Sequence, residues 1–230
     1  MCGRYAITLP PDAMRRLFDY AEQPNFPPRY NVAPTQPVPI VRAADGVRHF
    51  GLVRWGFLPG FVKDPKTFPL LFNARAEGIE GKPSFRAAIR RRRCLFIADG
   101  WYEWRRGADG RGKAVKQPFL FRARDHGPLG FAGLWETWSD PQGGEVDTGC
   151  IITAPANATT VAIHDRMPAI IAPADFDRWL DCSDDRVSRT DMLKPAPDKA
   201  IEFIEVSPMV NSYKSEGPDL QTPVAATRLI

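Results

Sequence analysis

The 23 prolines and 18 glycines of this 230-residue chain are spread along its whole length rather than gathered into one linker. Proline ends helices and removes a ladder donor, and glycine favours turns, so this spacing permits only short elements joined by tight turns. Between the breaks, seven segments read as strands by apolar and β-branched content: RYAIT at 4–8, VPIVR at 38–42, CLFIA at 94–98, PFLFRA at 118–123, LGFAGLWE at 129–136, GCIITA at 149–154 and IEFIEV at 201–206. Three read as short helices. Pro11 to Tyr20 places Met14, Leu17 and Phe18 on one face, Pro83 to Arg93 does the same with Phe85, Ala88 and Ile89, and Pro173 to Leu180 with Phe176, Trp179 and Leu180. The helices do not alternate with the strands as a parallel sheet requires. The pattern therefore predicts an α+β single domain of mainly antiparallel sheets in a barrel-like arrangement, flanked by short helices. Its expected extent is 1–215, with 216–230 as a polar, loosely held tail.

A 43% hydrophobic share is too high for a disordered chain. No run of 18 apolar residues offers a membrane span, and the opening MCGRYAITLP lacks the basic and apolar regions of a signal peptide, so a cytoplasmic location is expected. Cys2, Cys94, Cys150 and Cys182 are far apart, with no CxxC pair and no histidine at metal spacing, so neither a disulfide framework nor a metal or other cofactor is expected. The net charge is only +4, but 23 of the 31 cationic residues are arginine. The guanidinium is suited to bidentate phosphate contact, and this bias points toward nucleic acid.

Cys2 is the first candidate for chemistry. Loss of Met1 would leave an α-amine and a thiol on adjacent carbons, with reference titrations near ~8 and ~8.5, so a usable fraction of each is expected to be nucleophilic at neutral pH. Such a pair condenses with an aldehyde to an imine and then closes a five-membered thiazolidine, an intramolecular step favoured by proximity. A buried cysteine at the start of a strand is the competing reading of the same residue. In the NARAE segment, an extended backbone places Asn73, Arg75 and Glu77 on one side, where an amide and a cation could hold an amine and a phosphate; a polar loop is the alternative. In DGWYEW, alternation puts Trp101 and Glu103 on one face and Tyr102 and Trp104 on the other, and an acid among aromatics should have its pKa raised toward proton donation near neutrality. His164 follows an apolar strand end at 161–163, and alternation points it the same way as Arg166. His49 and His126 read as surface groups. Arg90 to Arg93 reads as a solvated face at a helix end, and Trp55, Trp135, Trp138 and Trp179 as core aromatics.

The order MCGRY, RYNVAPT at 29–35, RWGFLP at 54–59, NARAE at 73–77, KPSFR at 82–86, RRRRCL at 90–95, ADGWYEW at 98–104 and HDRMP at 164–168 resembles the SOS response-associated peptidase (SRAP) family, over the stretch from Cys2 to about Val210. Proteins of that family shield abasic sites in single-stranded DNA by attaching to them covalently. The resemblance implies that Cys2 is the crosslinking residue, exposed by loss of Met1, which the protein itself removes. It implies that Asn73 holds the Cys2 amine, that Glu103 is the acid-base group, and that His164 assists protonation and sugar opening. It assigns Arg4, Arg75 and Arg166 to phosphates and adds Trp104 to the DNA-binding residues. Where the family commonly has a tryptophan that wedges against DNA, this chain has Phe61-Val62, a weaker stacking group. The implied partner is single-stranded DNA with abasic sites, met by a monomer without membrane or metal. Two other classes use the same residues: an N-terminal-nucleophile cysteine amidohydrolase, and a non-covalent single-stranded DNA-binding module.

Overall fold

The computed structural model describes residues 2–108, 112, 114–140 and 142–224. The chain runs β1 (Tyr5–Ile7), α1 (Pro11–Phe18), β2 (Arg29–Val32), β3 (Pro37–Ala44), β4 (Val47–Trp55) and β5 (Asn73–Arg75). It continues through α2 (Ala88–Arg91), β6 (Arg93–Ala98), β7 (Gly100–Ala108), β8 (Ala114–Ala123), β9 (Leu129–Ser139) and β10 (Glu145–Pro155). β11 (Arg166–Pro168), β12 (Ile170–Ile171), α3 (Phe176–Leu180) and β13 (Ile201–Glu205) complete it. All seven expected strands form, and all three expected helices form in shorter versions. The stretch 83–87 is a series of turns, Arg93 already belongs to β6, and Pro173–Asp175 is a 3-10 turn before α3.

One sheet has the antiparallel order β13-β8-β7-β1-β2. In the other, β10, β4, β3, β6 and β9 pair in succession and β9 returns to β10, closing a five-stranded barrel. Closure leaves no free edge within the ring. Phe96 fills the space against Gly133 and Gly149; a Cβ at Gly133 would lie 2.4 Å from the Phe96 ring, so the strand must carry glycine there. The two sheets meet through aromatic side chains: Tyr5 sits edge-on to Trp55 at 5.0 Å, and Trp101, stacked within its own sheet on Phe121 at 5.0 Å, meets Phe131 edge-on at 5.9 Å. Each such pair adds about 1 kcal/mol beyond simple area burial. Trp55, Trp138 and Trp179 are buried and Trp135 is partly so, as core aromatics should be.

Three expectations give way to the tertiary structure. Arg93 is not part of a solvated face: the residue is 1% exposed and its guanidinium donates to the carbonyls of Ile89, Arg90, Trp179, Val187 and Asp181. That tie fixes α2, α3 and the loop after α3 onto β6. Residues 161–163, read as a strand end, form turns. The segment from 216 onward is no loose tail as far as Val224: Leu220 is fully buried, Tyr30 N–H donates to the Glu216 carboxylate at 2.8 Å, and Val206 bridges Pro223. Residues 225–230 lie outside the described residues, as does Met1.

Candidate active site and nucleic-acid cleft

β10 positions the site because its two halves have different neighbours. The first half closes the barrel between β4 and β9, while the second carries β5 in parallel on one edge, with Ile151 opposite Asn73, and β11 antiparallel on the other, with Pro155 opposite Arg166. β5 and β11 therefore flank a single strand, and Glu77, just after β5, meets Arg166, the first residue of β11, across it although the two are 89 residues apart. β1 lies antiparallel to β7 with Tyr5 opposite Trp101. Counting back along that register places the start of the chain beside Glu103, and the Tyr102 N–H bond to Arg4 O at 2.9 Å extends the pairing in that direction.

The outcome is a polar cluster behind a cleft. Asn73 Nδ2 donates to the Cys2 carbonyl at 2.8 Å, and Asn73 Oδ1 is buried with no partner among the described residues. Glu103, 3% exposed, has its carboxylate 3.8 Å from His164 Nε2. The backbone N–H of Arg166 donates to His164 Nδ1 at 3.0 Å. A neutral imidazole that accepts at Nδ1 carries its proton on Nε2, the nitrogen facing Glu103. Asp165 Oδ1 is 3.1 Å from the same Nδ1. Burial pushes the Glu103 carboxyl from its ordinary 4.5 up to about 7, with the charge of Asp165 adding in the same direction, and burial holds His164 below its usual value. Glu103 is thus poised for proton exchange near neutrality, as its aromatic setting predicts.

The Cys2 thiol is another matter. It is completely buried, its Sγ–H points to Arg4 O at 3.9 Å, and burial with the nearby Glu103 charge pushes its pKa well above the ordinary thiol range. The usable thiolate fraction read from free-solution values is absent in the folded chain, because a thiolate there would lose its hydration. Cys2 is buried and also beside Asn73 and Glu103, so the two readings of this residue are not exclusive.

The cleft in front has a volume of about 930 Å³ and is lined by Arg4, Phe72, Glu103, Trp104, Arg105, Arg106, Lys116, His164 and Asn211 among others. Arg105, Arg106 and Lys116 were not legible as site residues. They continue β7 and its partner β8 beyond Glu103, with Arg106 opposite Lys116, so the signal available was a cationic continuation of the strand that bears the acid. The phosphate candidates are placed unevenly. Arg4 lines the cleft yet donates to Asn31 Oδ1 at 2.7 Å and to Val210 O at 2.9 Å, and buried Asn31 ties down Ser212 and Ser215. Arg166 is clamped by both oxygens of Glu77 at 2.6 and 2.9 Å and by Thr153 O at 2.6 Å. Arg75 is exposed, two residues along β5 from Asn73. Trp104 lines the cleft and donates to Asn211 Oδ1 at 2.6 Å. Phe61, 60% exposed, packs edge-on to Phe68 in a separate small cluster and does not line the cleft. His49 pairs with Glu22 and His126 with Glu202, away from this cluster. Among the described residues there is no group of three potential metal ligands and no helix long and apolar enough to cross a membrane.

This closed barrel with an antiparallel sheet, holding Cys2, Asn73, Glu103 and His164 together, places the chain in the SOS response associated peptidase (SRAP) family, whose model matches residues 1–213. The chain belongs to that family. It is 34% identical to the abasic site processing protein YoqW of Bacillus subtilis over 224 residues, covering 96% of this chain and 98% of the relative. It is 30% identical to the abasic site processing protein YedK of Escherichia coli, covering 97% and 100% of the two chains. The abasic site processing protein HMCES of Xenopus tropicalis is 29% identical, with 99% of this chain and 80% of that one covered. A crystal structure of a protein from Bacteroides thetaiotaomicron superposes with a TM-score of 0.84 at 23% identity, over 97% of this chain and all of that one, and shares the fold.

Proposed function

We propose that this protein processes abasic sites in single-stranded DNA by covalent capture through Cys2, after Met1 has been removed by the protein itself. The observation that carries the reading is the convergence of Cys2, Asn73, Glu103 and His164 behind one cleft walled by Arg105, Arg106 and Lys116. The α-amine freed at Cys2 attacks the aldehyde of the opened deoxyribose and water leaves, giving an imine. The thiol then adds across the C=N bond; its sulfur bonds the carbon, its proton passes to nitrogen, and the thiazolidine ring closes. Because the thiol is held protonated, the amine acts first and the thiol proton needs an acceptor during closure. Glu103, poised near neutrality, takes that role. The Nε2 proton of His164 is available to the sugar oxygen as the ring opens. Asn73 Oδ1, an acceptor without a partner, receives an N–H of the freed amine.

A lesion that lacks a base is found through its backbone, so noncovalent affinity should come from cation–phosphate contacts with stacking on Trp104 and should fall with salt. A cytoplasmic monomer suffices for this reading. Its test is an abasic single-stranded oligonucleotide run with the protein on a denaturing gel. The wild type should give a shifted band, and Cys2→Ala none. A chain carrying a residue ahead of Cys2 that cannot be removed should also give none, since its amine would be an amide. Normal crosslinking by that blocked chain would overturn the ring chemistry.

A further inference from the structure

The segment after Glu77 contains a charged face that the capture chemistry does not use. Backbone bonds from Arg86 N–H to Lys82 O and from Ile89 N–H to Phe85 O, both 2.9 Å, carry residues 82–87 through successive turns into the four-residue α2. Phe85, Ala88 and Ile89 are buried on its inner side. Lys82, Arg86 and Arg90 follow one another at intervals of four residues, while Phe85, Ala88 and Ile89 between them take the buried side. Arg86 and Arg90 are exposed and Lys82 partly so. Lys82 Nζ reaches the Arg75 carbonyl at 3.3 Å, so the row begins where the strand bearing Asn73 ends. None of Arg75, Lys82, Arg86 or Arg90 is in an ion pair among the described residues, whereas their neighbours are: Arg91 binds Asp185 at 2.5 Å, Arg186 binds Asp184 at 2.8 Å, and Arg166 occupies Glu77. Glu80 is the one acid beside the row left without an ion pair; with Arg86, Arg90, Arg91, Asp185 and Arg186 it lines a concavity of about 460 Å³.

We infer that Lys82, Arg86 and Arg90 form a track for the sugar–phosphate backbone of the same single strand, on one flank of the bound lesion. Exposed cations without an internal partner stay available to an outside anion, and a row of them suits a repeated one. Three cations about one turn apart can each meet one phosphate of a single strand laid along them. Nothing in the row reads bases, so the track is indifferent to sequence. It extends the DNA reading above and rests on it.

The test uses the whole protein and unmodified single strands, which cannot be captured. Binding is measured against salt for a strand of about 5 nucleotides and one of about 20, within the range a single-strand groove covers. For the long strand, Lys82→Gln/Arg86→Gln/Arg90→Gln should lower the slope of log affinity against log salt by about 2, at roughly 0.7 per lost phosphate contact. Short-strand affinity should be unchanged, and so should crosslinking of a short abasic strand, which also reports on folding. A control with equal charge loss elsewhere, Arg16→Gln/Arg124→Gln/Lys199→Gln, should keep the long-strand slope. Equal losses in both triple variants, or none in the first, would overturn the track. Absence of crosslinking in the wild type would instead overturn the capture chemistry, and the salt measurement on intact strands would stand apart from it.

Discussion

Glu103→Gln separates the cost of the site from its use. A carboxyl whose pKa is higher folded than unfolded holds a proton in the native state over a pH range where the unfolded chain has lost it. Native stability therefore declines as pH rises through that range. For Glu103 the range runs from 4.5 to about 7. At 1.4 kcal/mol per pH unit, the native state of the wild type loses about 3 kcal/mol on going from pH 4.5 to pH 8 through this residue alone. Glutamine has the same shape and no charge to bury. The stability gap between variant and wild type should therefore grow by about 3 kcal/mol between pH 4.5 and pH 8, a relative rise in melting temperature of roughly 6–12 °C for a chain of this size. Urea or thermal unfolding of both proteins across that range reads it directly. The same variant should crosslink abasic DNA at least about 100-fold more slowly, the usual contribution of one positioned acid-base group. A gap that stays flat with pH would refute the claim that burial strains this carboxylate, whatever happened to the rate.

The thiol reading predicts that iodoacetamide at pH 8 labels partly exposed Cys182 well before Cys2, Cys94 and Cys150, and that denaturant makes all four equivalent; early labelling of Cys2, read by mass spectrometry, would contradict its burial. Arg93→Lys should cost about 2–4 kcal/mol in urea unfolding, because a lysine cannot replace the fork that satisfies five carbonyls and leaves several of them buried and unpaired. Gly133→Ala should destabilise by about 2 kcal/mol or more, since the added methyl meets the Phe96 ring inside the closed barrel, whereas Gly46→Ala, with nothing within 4 Å, should lose only what a left-handed turn costs a non-glycine.

Periodicity and punctuation in the sequence determined the strands, the short helices, the α+β class and the alternation that turns Glu103 away from Trp104, because each depends on side chains near one another along the chain. The chemistry of Cys2, Asn73, Glu103 and His164 was legible as residue types in a family-like order. Their meeting was not. It depends on β10 serving two different neighbours along each of its edges and on β1 pairing with β7, contacts between residues far apart in sequence. The same limit explains the misreadings. Arg93 looks like its three neighbours until α3 and the loop after it bring carbonyls around it, and only the fold decides that Cys2 is both out of water and beside Asn73. Among the described residues after 215, Leu220 is the buried anchor, and nothing local says that a cavity exists to receive it. Sequence set which groups could react; only tertiary packing set how far each is desolvated and what stands beside it, and those two quantities govern proton affinity.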